Sequence, residues 1–169
     1  MPEKETIERA HEDAAEGKSP STQAGEFVRE EMHHIREGKH GAANTKQAIA
    51  IGLSKARRAG VKLGSPNART TSQETRKKAE QDSRKGRSGA GKHPSPRRSR
   101  ATLGALKREP HSAASRESLS RQAHSAATRR GSRARHESAE AAVRTKGSTK
   151  MSQAGKKAVR TRSKNRRAA

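Results

Sequence analysis

Large apolar residues recur at helical spacing in only one part of this chain, residues 19–63. Ala24, Phe27, Val28, Met32 and Ile35 step by three and four and form a single stripe. Ser19 or Ser21 can cap the start of that helix, Pro20 suits its first turn, and Gly38 ends it. After a Gly-flanked connection, Asn44 or Thr45 caps a second helix running to Gly60. There Ala48, Ile49, Gly52, Leu53, Ala56 and Ala59 share a face. Gly52 costs roughly 1 kcal/mol against Ala, but it would let a neighbouring helix approach closely. Val61 and Leu63, just beyond the stop, can fold back over the helix end. Ahead of this pair, residues 2–17 read as a short acidic helix, with Ile7, Ala10 and Ala14 on one side.

Glu31 breaks the first stripe, where a carboxylate should not sit alone. Either it lies at the wet edge of the stripe, or it pairs with a base from the next helix and fixes how the two pack.

The pattern predicts a small all-α module over residues 1–63, of two to three short helices arranged as an αα-hairpin or helix-turn-helix-like unit. So small a core is marginal alone, and dimerisation through Ile51, which points off the stripe, would enlarge it. From Gly64 onward the pattern is lost. Eleven of the 17 Leu, Ile, Val, Phe and Met residues precede it, and the other 106 residues hold six. Six such side chains do not offset an ordering entropy of roughly 1–2 kcal/mol per residue. The expected remainder is therefore a long, mostly disordered basic tail with transient helices. It divides into a Gly/Ser/Pro-rich linker (64–114) and an Ala/Arg/Ser-rich segment (115–169). Residues 75–81 and 101–108 are expected to form no more than transient turns, and residues 88–99, with glycines and two prolines, none. A weak repeat at a 16-residue offset, SAATRRGS (125–132), AAVRTKGS (141–148) and KAVRTRSK (157–164), predicts short basic helices interrupted by Gly-Ser. These are expected to form only once phosphates neutralise the Lys/Arg repulsion.

Charge divides the chain as sharply as hydrophobicity does. Residues 1–41 carry 6 Lys/Arg and 10 Asp/Glu, whereas residues 42–169 carry 34 and 7. An excess of +23 over the whole chain implies a polyanionic partner. With no Cys, disulfides and thiolate metal sites are excluded. The first residues lack an apolar signal region and no run approaches 18 apolar residues, so a soluble, intracellular protein without a membrane partner is expected.

Candidate chemistry is sparse. GRSGAGKH (86–93) imitates a phosphate-binding loop, but His93 stands in the Ser/Thr position, no apolar strand precedes it, and Pro94 and Pro96 follow. His33, His34, Glu37 and His40 match no known metal spacing, and no catalytic triad or carboxylate pair stands out. No enzyme activity, cofactor, metal or small-molecule substrate is expected. Ser95-Pro96-Arg97-Arg98 resembles the Ser-Pro-basic units of linker-histone tails, which suit narrow minor grooves. One Phe and no Tyr or Trp leave no platform for stacking splayed bases, which favours duplex binding through phosphates.

The blocks STQAGEFVREE (21–31), HIREGKHGA (34–42) and TKQAIAIGLSKARRAGV (45–61) resemble a family of small, basic bacterial proteins of unknown function. The resemblance covers about the first 63 residues, implies a bacterial cytoplasmic protein and supplies no catalytic residues.

The function expected is non-enzymatic, largely sequence-nonspecific DNA binding of a nucleoid-associated type. An RNA- or ribosome-associated protein, or a protein-interaction module with a polyanion-binding tail, are the alternatives. The candidate phosphate contacts on the second helix of the pair and just past it are Lys46, Gln47, Ser54, Lys55, Arg57, Arg58 and Lys62. Those of the tail are Arg97, Arg98, Arg100, Arg129, Arg130, Arg144, Lys146, Lys156, Lys157, Arg160, Arg162, Lys164, Arg166 and Arg167.

Overall fold

The computed structural model describes residues 2–68, 71–88 and 95–167. Three helices build the core: α1 (Lys4–Ala15), α2 (Pro20–Arg36) and α3 (Thr45–Arg58). The caps are local. Ser19 Oγ accepts from Thr22 N–H at the start of α2, and Asn44 Oδ1 from Gln47 N–H, 2.9 Å away, at the start of α3. Each helix ends in the same left-handed glycine stop. At α3, Gly60 N–H donates to Arg57 O and Val61 N–H to Ala56 O.

The two stripes read from the sequence meet. Phe27, Ala24, Ala10 and Ala56 are buried together, flanked by Ile7, Leu53, Val61 and Leu63. Met32, Ile35, Ala42 and Ala48 form a second cluster with Val28 and Ile49. Phe27 and Ile35 are fully buried, a gain of about 1.5–3 kcal/mol each. Gly52 lets α3 ride on α2, for a Cβ there would lie 2.7 Å from the Val28 Cα.

Glu31 is fully buried and does pair with the next helix. Lys55 Nζ on α3 lies 2.8 Å from Glu31 Oε2 and 2.8 Å from Glu30 Oε1. The acidic α1 packs on α2, with Arg9 bound to Glu26 at 2.8 Å and Glu3 N–H donating to Glu30.

The expectation of a short module with a disordered tail is overturned. Among the described residues the chain continues through α4 (Gln73–Ser88), α5 (Pro96–Lys107), a 3-10 turn (His111–Ala114), α6 (Arg116–Lys146) and α7 (Ser148–Arg167). Two physical reasons account for the part that packs on the first three helices, α4 and residues 106–119. First, small residues do the packing that the count of large apolar side chains missed. Ala113 and Ala114 are buried in the Met32–Ile35 cluster with Leu119 against them, and Ala79 is buried on α4. Second, distant polar groups tie the later segments down. Asp82 accepts from Ser54 Oγ and Arg58 Nε, holding α4 on α3. Gly41 N–H and Ala42 N–H donate to Leu106 O and Pro110 O, Thr45 Oγ1 to Ala113 O at 2.7 Å, and Arg36 Nε to Ala114 O.

Pro96 does not block a helix. It sits in the first turn of α5 behind Ser95, whose Oγ accepts from Arg98 N–H, the position where a missing N–H costs nothing. Of the loop imitation at 86–93, Gly86–Ser88 form the last turn of α4, and residues 89–93 lie outside the described residues.

The chain divides into two compact units, Met1–Gln122 and Ala123–Ala169. The second is helical and follows the 16-residue repeat. α6 breaks at Gly131 (φ 75°, ψ 173°) and α7 is set off by Gly147 (φ 78°), while the third copy, which has Ser163 there, runs on without a break.

Candidate nucleic-acid interface

Three of the predicted contacts on α3 are already engaged within the fold. Lys55 bridges the two buried carboxylates, and Ser54 and Arg58 bind Asp82. Burial pushes the Lys55 ammonium down, but its hydrogen bond to Glu30 and its contact with Glu31 outweigh that and raise its pKa above the usual lysine value. Burial likewise pushes Glu30 up, and Lys55 together with the Glu3 N–H brings it below the usual carboxylate range. Gln47 is spent locally, its Oε1 accepting from Ala43 N–H. Lys46 is exposed.

Arg57 and Lys62 instead open onto a cleft of about 660 Å³ between the end of α3, the segment that follows it, and α4. Arg84 and Arg87, one helical turn apart on α4, line the other side with Ser83. Against these four cations stands one acid, Glu80, among the described residues. Arg57 Nε itself is buried and makes no hydrogen bond. Neither Arg84 nor Arg87 was singled out from the sequence. Their spacing is legible on α4 only once α4 is known to be a helix facing Arg57.

The remaining predicted contacts lie on α5, α6 and α7. Arg97, Arg98 and Arg100 are on the first turns of α5, Arg129 and Arg130 just before the Gly131 break in α6, and Arg144 and Lys146 at its end. Lys156, Lys157, Arg160, Arg162, Lys164 and Arg166 are exposed on α7, which closes at Arg167. α7 carries eight Lys/Arg and no Asp/Glu over its 20 residues. At 100° per residue, Lys150, Lys156, Lys157, Arg160 and Lys164 fall within an arc of about 120°. Lys150, outside the predicted set, joins this face through its register alone. In residues 123–167 the described carboxylates are taken by Arg133 and His136, at 3.1 and 3.5 Å from Glu137 and Glu140.

Residues 19–67 match a family of unknown function (DUF6496). That segment covers α2, α3 and the irregular segment after α3, the part that carries the sequence blocks of the resemblance. No curated protein and no solved structure matches the chain. No described helix is long and apolar enough to cross a membrane.

Proposed function

We propose that this protein binds nucleic acid through phosphates, duplex DNA ahead of RNA and with little sequence preference, in the manner of a nucleoid-associated protein. The observation that carries this reading is α7. Like charges at Lys156/Arg160, Arg160/Lys164 and Arg162/Arg166 stand four residues apart with no carboxylate on the helix, an arrangement that destabilises a helix by itself. A phosphate backbone removes that repulsion and gains the release of its own counterions. The cleft at Arg57, Lys62, Arg84 and Arg87 adds a second set of phosphate donors on the first unit. Phe27, the one aromatic residue, is fully buried, so base stacking does not contribute and duplexes are preferred to single strands.

The test is a salt titration of the full-length chain against duplex DNA, single-stranded DNA and duplex RNA of equal length. With about eight phosphates engaged, log affinity falls with log salt at a slope of about −7 on duplex DNA. A slope near zero overturns the reading. Equal affinity for RNA and DNA duplexes removes the preference and leaves phosphate binding alone.

A further inference from the structure

We propose that Glu31, His34 and His40 form a divalent-metal site, of the kind that takes Zn²⁺, which locks the end of α2 to the α2–α3 connection. Donor atoms of the three lie within 4.8 Å of one another. Glu31 and His34 are one turn apart on the same face of α2, and His40 is brought back to them by the turn at Gly38.

The hydrogen bonds of the two imidazoles decide what their other nitrogens can do. His40 Nδ1 lies 3.0 Å from the Gly41 carbonyl, which only accepts, so the ring proton sits on Nδ1. Nε2 is thereby turned to Glu31 Oε1, 3.2 Å away in a buried place. His34 repeats the arrangement. Its Nε2 donates to the Glu3 carboxylate at 2.8 Å, and Nδ1 faces inward, 4.0 Å from Glu30 Oε1. An outer nitrogen bound to a carbonyl or carboxylate, and an inner one turned toward the other donors, is how metal-ligating histidines are held.

Charge points the same way. Glu30 and Glu31 are both buried, and Lys55 supplies one positive charge to the two of them. Neither Glu31 oxygen has a partner in hydrogen-bond geometry, although Lys55 and His40 stand at ion-pair distance. A divalent cation between Glu31 Oε1 and His40 Nε2 fills that deficit. Their 3.2 Å separation is close to the edge of a tetrahedron with arms of about 2.0 Å, roughly 3.3 Å. His34 completes three protein ligands, and water takes the fourth position. Imidazole, imidazole and carboxylate suit Zn²⁺ and Co²⁺ rather than Mg²⁺ or Ca²⁺. His33 and Glu37, the other members of the cluster seen in the sequence, are exposed and outside the site. Glu31 replaces them, and only its burial reveals it.

The experiment uses the full-length chain stripped with chelator, and no nucleic acid, so it stands or falls apart from DNA binding. Co²⁺ is titrated by visible absorption and Zn²⁺ by thermal unfolding. One equivalent of Co²⁺ should give the intense absorption of a tetrahedral site. Zn²⁺ at about 100 times its dissociation constant should raise the unfolding midpoint by about 5 °C or more. His40→Ala and His34→Ala should each weaken binding at least tenfold, and His33→Ala should leave it unchanged. His34 is the decisive variant if His40→Ala loses helicity by circular dichroism, because its protein partner, the Glu3 carboxylate, is half-exposed and is hydrated when the ring is removed. Absence of stoichiometric binding overturns the site. So does retention of wild-type affinity in folded His34→Ala, or an equal loss in His33→Ala.

Discussion

Residues 1–63 carry 11 Lys/Arg and 10 Asp/Glu, whereas residues 123–169 carry 14 and 2. In the first region the charges are turned inward on one another. Lys55 holds Glu30 and Glu31, Arg9 holds Glu26, and Lys18 holds Asp13 at 2.7 Å. In the second, both acids are taken by neighbours on α6 and α7 presents only cations. The difference teaches that the same side chains do two jobs. Mixed charges beside a small apolar core fix how helices pack, and segregated charges stay on the helix surface.

Several changes would break or sharpen this contrast. The largest effect is expected from neutralising Lys156, Lys157, Arg160 and Lys164 together by Ala. The salt slope on duplex DNA should flatten by about 3.5 and affinity at 0.1 M salt should fall about a thousandfold. The urea midpoint of the first unit should not move. Should affinity survive, the cleft on α4 and not α7 is the main phosphate site.

Lys55→Met should do the reverse. It leaves two buried carboxylates without their ammonium, a loss of about 3–5 kcal/mol by urea unfolding, with the salt slope unchanged. The same pair sets a pH window, measured in chelator. Glu30 has a folded pKa below the ordinary glutamate value of 4.5, so its contribution is present above that pH and disappears as pH falls through the folded value. Lys55 has a folded pKa above 10.5, so its contribution is complete below 10.5 and is lost as pH rises through the folded value. Unfolding midpoints should form a plateau between these limits. A midpoint that keeps changing from pH 6 to 9 would show that other groups control the core.

Gly52→Ala should cost about 1–3 kcal/mol by overpacking against Val28. Thr45→Val should cost about 1–2 kcal/mol, because the buried Ala113 carbonyl loses its donor. A protease digest should then cut first near residues 106–114. If neither stability nor cleavage changes, this segment does not belong to the first unit's core.

Much of residues 1–63 was legible beforehand, for reasons that can be named residue by residue. The α2 and α3 stripes, the Ser19 and Asn44 caps and the Gly38 and Gly60 stops are signals within one or two turns. Gly52 and Glu31 were readable because each broke a pattern whose neighbours were clear. The reading failed beyond Leu63 by counting only large apolar residues. Ala79, Ala113 and Ala114 bury well because the opposing surface comes close, and a count of Leu and Val does not register them. Of the cations lining the cleft, Arg57 and Lys62 stand in or next to a helix with a clear apolar stripe, whereas Arg84 and Arg87 stand on α4, whose sequence carries no large apolar residue.

By itself, then, the sequence determined what depends on near neighbours: three helices with their caps and stops, the breaks at Gly131 and Gly147, and the cationic surplus of α7. Tertiary structure alone decided which charges are spent and which are free. Lys55 and Arg57 stand two residues apart and look alike in the sequence. One faces carboxylates 24 and 25 positions earlier, the other a cleft closed by α4. Coulomb attraction and burial act through space at a few ångströms, and the spacing along the chain carries no record of which side chain will be near.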